Sequence, residues 1–107
     1  MECIVKEYDK DGKLLFEGEY VNGERNRKMK QYYDNGKILY DGEYNNWIWN
    51  GVGKEYYKNG KLKYEGEFLD GKWNGKGKEY FQNGKIKFNG KYLNGNRVNV
   101  KSKNKKK

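Results

Sequence analysis

Few residues in this chain could do covalent chemistry. There is no histidine, which removes both histidine-activated nucleophiles and the commonest metal ligand. Cys3 is the sole thiol. Near the terminus and without a histidine to activate it, it reads as a structural or incidental residue rather than a nucleophile. Glu17, Asp41 and Glu65 recur every 24 residues, and carboxylates gathered in this way could share acid–base work. Gly51-Val52-Gly53 and Gly75-Lys76-Gly77 look at first like phosphate-cradling loops. Neither runs into a helix or a Gly-Lys-Ser/Thr ending, so that reading fails. What is abundant is rings and ammonium groups: 11 Tyr, 4 Phe, 3 Trp and a net charge of +9. That is material for binding, not turnover. No catalytic residue, cofactor, metal or small-molecule substrate is expected.

Whether the three acids form a site depends on the elements that carry them, and these are repeated. Gly12, Gly36, Gly60 and Gly84 are spaced by 24, as are Gly18, Gly42, Gly66 and Gly90. Tyr8, Tyr32, Tyr56 and Tyr80 keep the same step. Three columns in phase, each with four members, mark a tandem array. Within a unit, Leu62, Tyr64, Gly66 and Phe68 alternate with Lys61, Lys63, Glu65 and Glu67, the period of a strand. Asp11-Gly12, Asn35-Gly36, Asn59-Gly60 and Asn83-Gly84 precede these strands. Such pairs suit the two positive φ angles of a type I′ hairpin turn.

A two-residue turn there sets a register. Tyr57 faces Leu62, Glu55 faces Tyr64, Lys54 faces Glu65 and Gly53 faces Gly66. Lys30 likewise faces Asp41, Lys28 faces Glu43, and Lys6 faces Glu17. A bulged three-residue loop would shift this by one. Opposed charges on one face contribute a few tenths to ~1 kcal/mol each. The acid ladder is therefore a charge-paired, solvated face rather than a catalytic dyad. Opposed glycines such as Gly53 and Gly66 leave a hole among the rings, and the simplest filler is an aromatic ring from an adjacent strand. The unit then depends on its neighbours, which explains the copies.

The segment YEGEFLDGKWNGKGKEYFQNGKIKFNG, residues 64–90, resembles MORN (membrane occupation and recognition nexus) repeats: Tyr-x-Gly-x-aromatic, then Gly, then Gly-x-Gly. The resemblance covers residues 8–95. The step of 24 and the wording EYYKNGKL also resemble a bacterial variant group, some of whose members are labelled putative antitoxins. The resemblance implies an all-β fold: an elongated, twisted, single-layer antiparallel meander of tandem β-hairpins. The step of 24 places the array at residues 1–100, with a half-unit at 1–7 and units at about 8–31, 32–55, 56–79 and 80–100. About nine short strands result, followed by a basic tail at 101–107. There are departures. Trp47 stands where other units have Gly23, Gly71 and Gly95, and Arg27 and Met29 replace the Gly-x-Gly pair. Asn99 and Lys101 replace the last such pair.

Three sets of residues are candidates for binding. The rings Phe16, Tyr20, Tyr40, Tyr44, Tyr64, Phe68, Phe88 and Tyr92 form either the core or a groove for a partner. A basic patch is centred on Lys76, Lys78, Lys85, Lys87 and Lys91, continued by Lys101, Lys103, Lys105, Lys106 and Lys107. It would meet an acidic membrane surface; nucleic acid is the weaker reading. Trp47, Trp49 and Trp73 are read as lying in loops, folded over the sheet or making contacts. The expected function is a non-catalytic scaffold or binding module for protein–protein interaction or self-association. The alternatives are peripheral binding to acidic phospholipid, phosphoinositide included, and an antitoxin-like role beside a toxin. A single cysteine and the lack of any apolar stretch long enough to cross a membrane lead to the expectation of a cytoplasmic chain, peripheral to membrane in the lipid reading.

Overall fold

The hairpin tips show how the chain turns. In the computed structural model, which describes the backbone of residues 2–21, 24–45 and 48–98 and the side chains of 4–18, 28–45 and 48–98, the Gly60 N–H donates to the Tyr57 carbonyl at 2.9 Å. The Tyr57 N–H donates to the Lys61 carbonyl at 2.8 Å. Gly60 has φ +93°, whereas Asn59 does not share its positive φ. This is a three-residue loop, a type I turn closed by a glycine bulge, and it recurs at Gly12, Gly36 and Gly84. The expected type I′ turn is therefore not at these sites. It stands at the opposite margin, where Asp70 and Gly71 both have positive φ (52° and 83°), as do Asn94 and Gly95 (50° and 88°).

The strands are β1 (Glu2–Tyr8), β2 (Leu14–Val21), β3 (Glu24–Tyr32), β4 (Ile38–Asn45), β5 (Ile48–Tyr56), β6 (Leu62–Leu69), β7 (Lys72–Tyr80), β8 (Ile86–Leu93) and β9 (Asn96–Arg97). They lie in chain order in one antiparallel sheet. It is an all-β meander, with no helix among the described residues. The body of each hairpin keeps the derived register: Glu55 opposite Tyr64, Lys54 opposite Glu65, Gly53 opposite Gly66. Near the tip it slips, and Leu62 pairs with Tyr56 instead of Tyr57. The longer loop shifts the register by one and a bulge at Lys63 shifts it back. Two errors cancel.

Carried from strand to strand, the pairings make three rows. Gly18, Met29, Gly42, Gly53, Gly66, Gly77 and Gly90 are successive partners across β2 to β8. Two residues to one side, on the same face, runs a row of rings and polar groups: Phe16, Gln31, Tyr40, Glu55, Tyr64, Glu79 and Phe88. On the other face runs a row of alternating charge: Lys6, Glu17, Lys30, Asp41, Lys54, Glu65, Lys78 and finally Asn89. Because successive side chains point to opposite faces, one face carries the rings and the other the charges.

The rings are the core. Tyr40 and Tyr64 have no exposed surface, and Tyr44, Phe68, Tyr92 and Met29 are buried with them. Tyr64 lies over Gly77 so closely that a methyl there would sit 2.2 Å from its hydroxyl oxygen. Tyr40 covers Gly53 in the same way. An adjacent strand does supply the ring, as expected, but within the same unit of 24 residues. What crosses between units is edge-to-face packing: Tyr40 against Phe68 at 5.2 Å and Tyr64 against Tyr92 at 5.3 Å. The tips are tied as well, Tyr33 donating to the Tyr56 carbonyl at 2.5 Å and Tyr57 to the Tyr80 carbonyl at 2.6 Å. The dependence of one copy on the next is real, but it rests on ring edges and hydroxyls.

Candidate functional site

Two of the three tryptophans stand near the start of the second strand of their units. Trp49 and Trp73 lie on β5 and β7, not in loops. Trp73 stacks on Tyr64 at 4.5 Å with planes 3° apart, and Trp49 stacks on Tyr40 at 4.4 Å and 3°. Each indole N–H reaches back 18 residues, Trp73 to Glu55 at 2.8 Å and Trp49 to Gln31 at 2.9 Å. They are lids on the core. The signal was present in the sequence as paired columns: Gln31, Glu55 and Glu79 repeat in step with Trp49, Trp73 and Arg97. Arg97 closes the series by lying over Phe88 at 4.9 Å and donating through Nε to Glu79 at 3.2 Å. Glu79, nearly buried, is further satisfied by the Tyr92 hydroxyl at 3.1 Å and by Lys87 at 3.5 Å.

The Gly-x-Gly pairs also have a structural use. Between Phe68–Trp73 and Gly66–Gly77, three residues of β7 oppose Glu67 alone. This bulge needs positive φ at Gly75 (97°), and a side chain there would collide with the Glu67 carboxylate. That carboxylate instead accepts the Lys76 N–H at 2.9 Å, while the Glu67 carbonyl accepts the Tyr64 hydroxyl at 2.8 Å. Gly51 and Glu43 repeat the device. Bulges of this kind increase local twist.

The candidate residues thus separate. Of the aromatic set, Tyr40, Tyr44, Tyr64, Phe68 and Tyr92 are buried and Phe16 and Phe88 half-buried. Among the described residues these buried rings serve as the core. Burial pushes the Tyr64 phenol up to about 12 and raises those of Tyr40 and Tyr92 as well. The Tyr80 phenol is pushed up to about 12, chiefly by its hydrogen bond to Glu65. The five described lysines of the basic set are divided between different surroundings. Lys76, Lys78 and Lys91 share the charged face, Lys87 turns to Glu79 and lies over Phe81, and Lys85 belongs to a hairpin tip. Tyr20, Trp47, Cys3, Lys101, Lys103, Lys105, Lys106 and Lys107 lie outside the described side chains.

The charged face carries a trough of about 660 Å³ that crosses the strands from β3 to β8. Gly42, Gly53, Gly66 and Gly77 run along its floor. Asp41, Lys54, Glu65 and Lys78 stand on one side, and Lys28, Glu43, Val52 and Lys76 on the other. Among the described residues, the register brings only Lys6 and Glu17 of the charge row within ion-pair distance, at 3.8 Å. Among the described residues the ammonium groups of Lys54, Lys76 and Lys78 form no ion pair, although the Glu67 carboxylate lies against the Lys76 backbone N–H. The alternation also fails at its end, where Lys78 faces Asn89 and Lys76 faces Lys91. No cluster of metal-binding side chains occurs among the described residues, and no helix is long and apolar enough to cross a membrane.

Comparison with known families agrees with this geometry. A MORN repeat variant model matches residues 2–22, 28–46 and 49–70, and a MORN repeat model matches residues 64–86. A comparison with curated proteins finds no match. The repeats of this family generally serve as non-catalytic binding or scaffold modules. With its hairpins in tandem, its ring-over-glycine core and matches along most of its described length, the chain belongs to the MORN-repeat family.

Proposed function

We propose that this chain is a non-catalytic assembly module whose principal partner is protein, a second copy of itself included. One observation carries the reading. A sheet in strict chain order has two ends, and among the described residues β1 pairs with β2 alone, so one side of a seven-residue strand has no partner. Ile4 and Tyr8 on that strand are also more than half exposed. An open edge of this length supports strand addition, in which main-chain hydrogen bonds supply affinity. Light scattering across a concentration series tests it. The expected result is a dimer that persists from about 0.05 to about 0.5 M salt, since backbone pairing is little screened. Val5→Pro and Lys6→Pro provide the second arm. Adjacent amides point to opposite sides of the strand, so one proline removes an outward donor and the other an inward one. Only the outward one should abolish association while leaving the fold intact. A monomer at every concentration refutes self-association.

A second reading, docking to an acidic membrane surface, is favoured by the facing lysines Lys76 and Lys91 and by the exposed Leu93 two residues along β8 from Lys91. Co-sedimentation with acidic but not neutral vesicles, weakening as salt rises, is its expected signature.

A further inference from the structure

We infer that the trough on the charged face takes an extended acidic segment of a partner polypeptide, in polyproline II conformation, with a carboxylate at every third residue. The inference rests on the reading of the chain as a protein-binding module, but it uses a different surface from the β1 edge.

Direction comes first. The trough crosses the strands, so its occupant lies across the sheet and cannot be an added strand. Spacing comes second. Neighbouring strands lie about 4.8 Å apart, so Lys54 and Lys78, two strands apart, recur at about 9.6 Å. A polyproline II segment turns once in three residues and advances about 9.3 Å. It therefore presents the same side at almost the same interval. A helix repeats at about 5.4 or 10.8 Å and an extended strand at about 6.8 Å, and neither stays in step. The span from β3 to β8, five strand spacings or about 24 Å, accommodates about eight polyproline II residues.

Charge comes third. Among the described residues the ammonium groups of Lys54, Lys76 and Lys78 have no carboxylate within ion-pair distance, and Lys76 directly faces Lys91. Like charges placed opposite each other cost stability, and an incoming carboxylate would relieve them. Asp41, Glu43 and Glu65 stand between the lysines. A uniform polyanion, whether a nucleic acid strand or a lipid surface, meets repulsion at every second strand. A segment with spaced carboxylates does not.

Fluorescence anisotropy of a labelled peptide, Glu-Pro-Pro repeated three times, against the full chain tests the assignment. Binding is expected, and it should weaken by about tenfold when the same three glutamates are made contiguous. Lys78→Glu and Lys54→Glu should each weaken it to a similar extent, whereas Lys85→Glu at the hairpin tip should not. Lys91→Glu separates binding from folding, because it should raise thermal stability by turning a like-charged pair into an opposite one while still weakening the peptide. Equal binding of the contiguous peptide, stronger binding of acidic vesicles or single-stranded RNA, or insensitivity to the Lys54 and Lys78 variants overturns the inference. So does absence of binding. The outward-facing β1 proline variant should bind the peptide normally. A chain that self-associates but ignores the peptide therefore sinks the trough alone, and a monomer that binds it sinks the edge alone.

Discussion

Replacing Gly77 by alanine adds one methyl group to a position whose backbone any residue could adopt. The added carbon would stand 2.2 Å from the Tyr64 hydroxyl oxygen and 2.4 Å from the ring carbon that bears it. The ring cannot simply slide away. It stacks on Trp73, meets Phe68 and Tyr92 edge-on, and donates to the Glu67 carbonyl at 2.8 Å. Forced overpacking costs about 1–3 kcal/mol. Loss of the phenolic hydrogen bond adds about 1 kcal/mol, and weakened ring contacts add about 0.5–1.5 kcal/mol. The smaller entropy of the unfolded alanine chain offsets about 0.4–1 kcal/mol. The net expectation is a loss of about 3 kcal/mol, or a fall in Tm on the order of 12 °C for a domain of this size. Urea unfolding followed by tryptophan fluorescence measures it, with Gly84→Ala as the comparison. Gly84 has φ +94° and nothing within 4 Å of an added methyl, so it pays backbone strain alone, about 1–2 kcal/mol. A third arm adds Gly77→Ala to Tyr64→Ala; with the ring gone, the methyl should cost nothing. A Gly77→Ala variant no worse than Gly84→Ala, or a cost that survives removal of the ring, refutes close contact between Tyr64 and Gly77 as the cause.

The buried phenols make the fold sensitive to alkali. The unfolded chain begins to lose phenolic protons near pH 10 while Tyr64 and Tyr80 hold theirs to about 12. Stability from these groups is thus complete below pH 10 and falls as pH rises through 10–12, by about 1.4 kcal/mol per pH unit for a buried phenol such as Tyr64. Thermal melts from pH 7 to 12 should be flat to about pH 9.5 and then drop; a flat profile throughout contradicts the burial of Tyr64 and the hydrogen bond from Tyr80 to Glu65. The two kinds of turn predict opposite responses to glycine. Asp70→Gly relieves a positive φ and should be neutral or stabilising by up to about 1 kcal/mol, whereas Asn59→Gly only adds unfolded-state entropy and should destabilise. Equal effects in urea unfolding would show that the turns had been assigned wrongly.

The repeat, the strand period and the body of the register were legible in the amino-acid sequence because each is a local property. An alternation such as Leu62-Tyr64-Gly66-Phe68 admits one period, and columns spaced by 24 force every hairpin to adopt the same register. Opposite charges at Lys54 and Glu65 then marked the solvated face. Turn type was not decided locally. Asn-Gly serves both a type I′ turn and a type I turn with a glycine bulge, and the compensating bulge at Lys63 made the two indistinguishable in the strand bodies. Which rings are core and which are surface was likewise a matter of tertiary packing. Tyr64 loses its exposure only when Trp73 stacks over it and Tyr92 meets its edge, contacts made between strands and between repeats. The trough had no trace in any single unit, for its walls are assembled from six strands and its lysines become unpaired only once side chains choose their rotamers. Period and pairing are written along the chain; burial and cavity depend on what the sheet's twist brings together in space.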